Sequence, residues 1–217
     1  MVTKSRVKTS SSRDREATEQ RILDAIGAII LRDGLTAVGI NAIAREAGVS
    51  KVLIYRYFGD LDGLYEAFAE QSDFWWTVDE MVEGIDAPEN AHEAAEATKL
   101  ILRRHTEAMR SRPITLAVMA AELEARTPLV IALEAVREKR GRELLEATDR
   151  LMGRFDAEGL DVASILLTAA IQYLAARARR IRTYGALDLK SRAGWDRIES
   201  SIDRIVDGFF ALEAKGL

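Results

Sequence analysis

The chain has 217 residues, of which 48% are hydrophobic and 30% are charged, so it can bury the core of one large or two small domains. It contains no cysteine, which excludes disulfides, thiolate zinc sites and cysteine nucleophiles and fits a reducing cytoplasm. The net charge is −4, but residues 1–60 carry 10 Lys and Arg against 7 Asp and Glu, so a mildly basic N-terminal part precedes an acidic body.

An all-α fold is predicted, because the chain has only three prolines and no run of alternating β-branched residues. The N-terminus shows no secretion signal, since it lacks an apolar core segment. Residues 163–176 form the most apolar stretch, which is shorter than a bilayer span and is predicted to be a buried helix. We therefore expect a soluble, cytoplasmic protein.

Residues 1–14 are predicted to be a disordered basic tail, because they are rich in Ser, Lys and Arg. A first helix follows over about residues 15–32, and a second lies between Gly39 and Gly48. Ser50 is a suitable N-cap for a third helix, 50–58.

Asp60 is predicted to cap a fourth, longer helix that continues through the rings of residues 74–76. Further helices are expected from Asp86, Pro113, Thr127 and Asp161, and a last one over 195–214 follows a Gly-containing loop. These signals give about nine helices. They divide into a helix-turn-helix domain, 15–62, and a larger C-terminal domain, 63–217, which is predicted to bind a ligand and to form a dimer.

The break at Gly48 is typical of two helices that cross at a steep angle. Ala44 provides a small residue at the crossing, and glycine tolerates the positive φ of a tight turn. Apolar anchors spaced to meet in one core are Ile40, Ile43, Ala47, Val49, Ile54 and Phe58. Such a pair places its second helix in the major groove of DNA, although an ordinary helical hairpin has the same spacing.

The rest of helix 50–58 must then face outward. Lys, Arg and Tyr side chains neutralise or hydrogen-bond phosphates, and outward Val52 and Leu53 suit contact with thymine methyl groups. The predicted DNA-binding residues on this helix are Ser50, Lys51, Val52, Leu53, Tyr55, Arg56 and Tyr57.

The segment 21–68 resembles the N-terminal domain of the TetR family of transcriptional regulators. The matching features are "IL-A" in the first helix, "DGL", "IA-EAGVSK", "IYRYF" and the "L--L" entry to the fourth helix. The resemblance covers about the first third of the chain. It implies that Lys51, Val52, Leu53, Tyr55 and Tyr57 lie at a DNA interface, and that Asn41 meets a phosphate.

Two positions depart from the family pattern. Gly39 stands where a Thr or Ser usually caps the second helix, and Leu61 stands where a Lys usually starts the fourth. Both changes are expected to weaken contact with the DNA backbone. The tail cations Lys4, Arg6, Lys8 and Arg13 are candidates to compensate from a minor groove, and simple disorder of the tail is the alternative.

The last two helices have apolar stripes that are wider than a single copy of the chain can bury. The resemblance implies that they pair with a second copy, and a two-fold dimer also fits two half-sites one DNA turn apart. The residues predicted at this interface are Ile171, Leu174, Ile202, Ile205 and Phe209.

A small-molecule effector is predicted to bind in the C-terminal domain, in a cavity that is mainly apolar. The effector is expected to be apolar or aromatic, and cationic if Glu122 lines the cavity. Consecutive rings on one helix cannot all face the core, which makes residues 74–76 candidates for a pocket or for the core. The predicted lining is Trp75, Trp76, His105, Met109, Met119, Glu122 and Tyr173.

No cofactor, metal site or catalytic site is predicted, because the two histidines lie far apart and no phosphate loop or nucleophile motif is present. The sequence predicts a ligand-responsive repressor that binds a palindromic double-stranded DNA operator as a homodimer. A helical interaction module that has lost DNA binding is the alternative, favoured by Gly39 and Leu61.

Overall fold

The computed structural model describes residues 10–70, 74–122, 126–155 and 160–213. These residues form ten α-helices and one short β-hairpin, which confirms the predicted all-α fold. The helices are α1 (Ser10–Asp33), α2 (Ile40–Ala47), α3 (Lys51–Phe58), α4 (Leu61–Ala69), α5 (Val78–Val82), α6 (Ala91–Ser111), α7 (Pro113–Glu122), α8 (Pro128–Met152), α9 (Leu160–Ala178) and α10 (Arg192–Glu213).

Helices α1, α2 and α3 enclose a small core of fully buried isoleucines. Ile22, Ile26, Ile43 and Ile54 are each 0% exposed, and the predicted anchors of α2 and α3 pack in or against this cluster. Both predicted boundaries of α2 are correct: Gly39 is its N-cap and Gly48 its C-cap.

The first helix begins earlier than the sequence suggested. It starts at Ser10 rather than near Arg15, so residues 10–14 are helical and do not belong to a disordered tail. Residues 1–9, which include the candidate groove-binding cations Lys4, Arg6 and Lys8, lie outside the described residues.

The prediction that the fourth helix runs through residues 74–76 is wrong. Helix α4 ends at Ala69, and Phe74, Trp75 and Trp76 follow in a turn without helical structure. All three rings are buried, each 4% exposed. A helix would have turned at least one of them outward, whereas the irregular backbone lets all three point into the core. The buried Thr115 hydroxyl donates a hydrogen bond to the Phe74 carbonyl, so this backbone oxygen has a partner.

The larger domain is built around α6. Asn90 caps this helix, so it starts later than the predicted Asp86, and the short α5 precedes it with a Thr77–Glu80 capping box. Helices α5, α7, α9 and α10 all pack on α6. The predicted starts at Pro113 and Thr127–Pro128 are confirmed for α7 and α8.

Two ion pairs fix α10 to α6. Lys99 is buried and bonds Asp207 at 2.7 Å and Glu96 at 2.6 Å, while Arg103 bonds Asp203 at 2.6 Å. The loop before α10 contains a two-residue hairpin, Thr183–Tyr184 with Leu187–Asp188, which the sequence did not predict.

Helix α9 is apolar along its length and largely exposed. Its mean hydropathy of 1.3 and its 19 residues suffice, by length and composition alone, to cross a membrane, which is weak evidence because core helices of soluble proteins pass the same test. Only 22% of it is buried inside this chain. The prediction that residues 163–176 form a buried helix is therefore wrong for a single copy of the chain.

The junction between α3 and α4 leaves no space for a side chain at Gly63. A methyl group there would lie 2.4 Å from the Phe58 carbonyl oxygen, which is closer than real Cβ contacts. We therefore expect Gly63→Ala to lower the free energy of unfolding by about 2 kcal/mol, because backbone must move to relieve the clash.

Urea denaturation would measure this loss of stability. Gly39→Ala is the matched control, since Gly39 has an extended backbone and its added methyl group would meet no atom from another part of the described chain. Equal stability of the two variants would contradict the close approach at Gly63.

Candidate DNA-binding surface and ligand cavity

The turn between α2 and α3 sets the direction of α3. Gly48 has φ 65° and ψ 36°, the left-handed region that favours glycine. The Val49 N–H donates to the Ala44 carbonyl at 3.0 Å, and Ser50 Oγ accepts from the Leu53 N–H at 3.2 Å. The chain therefore stops one helix and caps the next within three residues.

Helix α1 fixes this pair from behind. Arg21 Nε donates to the Ala47 carbonyl at 3.0 Å, at the negative end of α2. Arg32 forms an ion pair with Glu46 at 2.9 Å, so this α2 carboxylate is neutralised locally. Arg45, Lys51 and Arg56 form no ion pair with any described carboxylate, which leaves the outer surface of α2 and α3 positive.

Most of the predicted DNA-binding residues are exposed. Val52 is the most exposed large apolar side chain of the described residues at 75%, and Tyr55 is 42% exposed. Leu53 and Tyr57 are half-buried. The exposed members of the predicted set are Asn41, Ser50, Lys51, Val52, Tyr55 and Arg56.

Two cations beside this set were not predicted. Arg45 lies one turn after Asn41 on the exposed side of α2, a relation that the four-residue spacing would have revealed. Arg15 of α1 lies over the Tyr57 ring at 5.0 Å, with Arg56 at 5.6 Å from the same ring. The Arg15 contact joins distant parts of the sequence, so no local pattern indicated it.

The structure shows what Gly39 and Leu61, the two departures from the family pattern, do in the fold. Gly39 is the N-cap of α2 and gives it no side-chain hydrogen bond, while its extended backbone would accept any residue. Leu61 is half-buried and packs against the core at the start of α4. Its side chain therefore contributes to stability instead of reaching a phosphate.

A cavity of about 570 Å³ lies in the C-terminal domain. Its walls come from α6, α8, α9 and the aromatic turn, together with Met119 of α7. Four residues of the predicted ligand set line it: Trp75, Trp76, His105 and Met119. Three do not: Met109 is buried elsewhere in the core, Tyr173 is 51% exposed, and Glu122 bonds Arg137.

The inner wall of the cavity is aromatic. Trp75 and Trp76 lie with ring centroids 5.5 Å apart, and Trp76 meets the edge of His105 at 5.9 Å. Burial lowers the pKa of His105 to about 4, so its imidazole is neutral at physiological pH. Among the described residues that line the cavity, the charged ones stand on α8 and at the start of α9.

A third surface is the bare side of α9 and α10. Val162, Leu166 and Tyr173 are 55%, 66% and 51% exposed on α9, and Ile205 is 47% exposed on α10. Of the predicted interface residues, Leu174 and Phe209 are half-buried. Ile171 and Ile202 are buried within the chain itself, so they belong to its core and not to an exposed face.

No cluster of three or more His, Asp or Glu side chains suited to a metal ion occurs among the residues that the structure describes.

The N-terminal part of the chain is similar to known sequences. Residues 22–68 match the sequence model of the bacterial regulatory proteins of the tetR family. The chain is also 39% identical over 61 residues to the HTH-type transcriptional repressor SCO4008 of Streptomyces coelicolor. That alignment covers 28% of this chain and 32% of the relative, so the match spans about a third of the relative's length.

Solved structures extend the likeness to the whole fold. NalD, the secondary repressor of the MexAB-OprM multidrug efflux pump in Pseudomonas aeruginosa, superposes with a TM-score of 0.62 at 17% identity, over 88% of this chain and 96% of NalD. A TetR-like transcriptional regulator from Rhodococcus sp. RHA1 gives 0.59 at 23% identity, over 88% and 96%. Both likenesses are below 25% identity, and they show that the fold is shared.

The buried His105 makes stability depend on pH. Its folded-state pKa of about 4 lies below the unfolded value of 6.5, so the unfolded chain binds the proton first. The neutral, buried His105 therefore adds to the free energy of unfolding. This added free energy is complete above pH 6.5 and is lost as the pH falls toward 4, by about 1.4 kcal/mol per pH unit.

Chemical denaturation between pH 7.5 and 4.5 would measure the free energy of unfolding of the wild type and of His105→Gln. Subtracting one from the other removes the effect of the carboxylates, which both proteins share. We expect the variant to lose less stability on acidification. His92→Gln is the control, because His92 is exposed on the same helix and its replacement should leave the wild-type slope unchanged.

Proposed function

We propose that the chain is a ligand-responsive repressor of the TetR family of transcriptional regulators, because residues 22–68 match the sequence model of that family. It binds a palindromic operator as a dimer, with one α3 helix per subunit in the major groove. A small, mainly apolar effector releases it. As a regulator of transcription it acts in the cytoplasm.

The observation that carries the proposal is the exposed face of α3 and α2. Cations without an ion-pair partner among the described residues, a Tyr hydroxyl and the 75%-exposed Val52 share this surface. Cations and hydroxyls give phosphate contacts that position a protein on DNA, and an apolar side chain among them suits a thymine methyl group.

The bare apolar side of α9 supports the dimer. A helix with mean hydropathy 1.3 that is only 22% buried needs a cover, and a second copy of the same helix gives one by two-fold symmetry. Such a dimer also presents two α3 helices to two half-sites of one operator.

The cavity supports the response to an effector. Its volume is within the range of small-molecule sites, and its aromatic inner wall belongs to the turn that follows α4. Helix α4 packs on α3 and α1 on one side and on α8 on the other, so a ligand that moves α8 also acts on the helices that hold α3. The ligand shifts DNA binding by its difference in affinity for the two dimer shapes, typically about 1–3 kcal/mol.

Selection of bound sequences from a random DNA pool tests the proposed function directly. A palindrome with half-sites about one helical turn apart is the expected result. A pool that stays random, together with a shift assay that shows no salt-dependent binding, would instead favour an interaction module that no longer binds DNA.

Two neighbouring substitutions on α3 should separate backbone contact from base contact. Lys51→Ala is expected to weaken binding to all DNA sequences alike and to reduce the salt-dependence slope by about one, because a phosphate contact carries no base information. Val52→Ala should relax the base preference at one or two positions, at a cost of about 1 kcal/mol, with an unchanged salt slope.

Fluorescence anisotropy with operator and random duplexes at several salt concentrations would measure both effects. Lys139→Ala on α8 is the control, since this exposed lysine lies in the C-terminal domain. If Lys51→Ala lost discrimination while nonspecific binding held, the assigned roles of these two side chains would be wrong.

A charged side chain introduced on the exposed apolar side of α9 tests the predicted dimer. Leu166→Glu should yield a folded monomer with much weaker operator binding, because a carboxylate cannot be buried unpaired between two apolar helices. Analytical ultracentrifugation at micromolar concentration would report the change. Ile131→Glu on α8 replaces a comparably exposed apolar residue and should remain dimeric. A monomeric wild type would remove the premise.

A further inference from the structure

The Tyr57 ring on α3 has two guanidinium groups beside it. The guanidinium carbon of Arg56, its neighbour on α3, lies 5.6 Å from the ring centroid, and that of Arg15 on α1 lies 5.0 Å from it. Among the described residues, no cation lies over the ring of Tyr55, which is also on α3. Arg15 therefore joins α1 to one particular side chain that the sequence places at a DNA interface.

Glu19 holds the Arg15 guanidinium in place. Arg15 Nε donates to a Glu19 carboxylate oxygen at 2.7 Å, one turn further along α1. The two charges offset each other, so Arg15 adds little net charge to this surface. A surface ion pair of this kind also adds little to the free energy of unfolding. What the pair does fix is the position of the guanidinium against the Tyr57 ring.

The Tyr57 hydroxyl is left without a protein partner. It forms no hydrogen bond with any described residue and is accessible to solvent, while its ring packs against the core. A tyrosine hydroxyl can donate to a phosphate oxygen. Tyr57 lies in the last turn of α3, where the helix end carries partial negative charge that repels a phosphate. The guanidinium groups of Arg15 and Arg56 offset this charge beside the hydroxyl.

We propose that Arg15 is a positioning residue for DNA binding: held by Glu19, it fixes the Tyr57 ring so that the hydroxyl meets a backbone phosphate. This inference rests on the proposed function and adds to it a role for α1. A ring that is ordered before the DNA arrives loses less conformational freedom on binding. Arg15 thus acts through Tyr57, since its own charge is offset by Glu19.

Removal of the Glu19 carboxylate separates position from charge. A carboxylate near DNA repels phosphates, so charge alone predicts that Glu19→Ala strengthens DNA binding. Loss of the anchor for Arg15 predicts the opposite, because the guanidinium and the ring are no longer fixed. We expect the affinity for the operator to fall by about 3-fold, which is the effect of losing one exposed contact between a cation and a ring.

Asp24→Ala is the matched control on the same helix. Asp24 is an exposed carboxylate that accepts a hydrogen bond from the side chain of Gln20, one turn earlier, at 2.8 Å. Gln20 is neutral, so this bond holds no cation over a ring. The control therefore removes the same charge without releasing a guanidinium, and it should leave the affinity for the operator unchanged or raise it.

A double-mutant cycle with Tyr57→Phe shows whether Arg15 acts through the hydroxyl. Tyr57→Phe keeps the ring, removes the hydrogen bond to phosphate and should weaken operator binding by about 5-fold. In this background Glu19→Ala should no longer weaken binding, because the group that Arg15 positions is absent. In a Tyr55→Phe background, where no guanidinium lies over the ring, Glu19→Ala should keep its full effect.

Fluorescence anisotropy with the full-length protein and the operator recovered from the random pool would measure these affinities. Urea denaturation of each variant should match the wild type, because the Arg15–Glu19 pair is exposed. Equal or stronger binding by Glu19→Ala, or an equal loss in the wild-type and Tyr57→Phe backgrounds, would overturn the inference and leave the proposed regulator standing. A wild-type protein that binds no DNA would refute the regulator and the inference together.

Discussion

Burial of α6 is the constraint on which the rest of the C-terminal domain depends. This helix of 21 residues has buried side chains on several sides, so it must be covered by more than one neighbour. Helices α5, α7, α9 and α10 supply that cover, and the Lys99 and Arg103 ion pairs fix the position of α10. One side of α6 forms the inner wall of the cavity. Helix α9 covers another part of α6 and leaves its own outer apolar side exposed.

The aromatic turn after α4 connects this interior to the N-terminal helices. Phe74 lies 6.4 Å from the Phe68 ring of α4, and Trp75 and Trp76 continue the row of rings to His105 on α6. A tightly packed row of rings transmits displacement, since side chains in a close-packed core cannot move independently. In the proposed function, the rings that line the cavity are therefore a few contacts from α4, which packs on α3.

The arrangement of α1, α2 and α3 was largely determined by local sequence. Gly48 required a left-handed turn, Ser50 and Asp60 supplied caps, and the spacing of Ile43, Ala47 and Ile54 defined one buried side, so the remaining side of α3 had to face outward. Each of these signals acts within one turn of a helix, where propensity, capping and periodicity are reliable. The caps at Thr127 and Pro128 and the Pro113 start were predictable for the same reason.

Tertiary structure alone decided what the apolar residues of the larger domain do. The sequence could not show that α4 stops before Phe74, that three consecutive rings are all buried, or that Ile171 and Ile202 face the core while Leu166 and Ile205 face out. The composition of α9 is apolar on every side, so its periodicity contains no information about which neighbour covers which face. That choice depends on where α6 lies, and contacts between helices distant in sequence determine it.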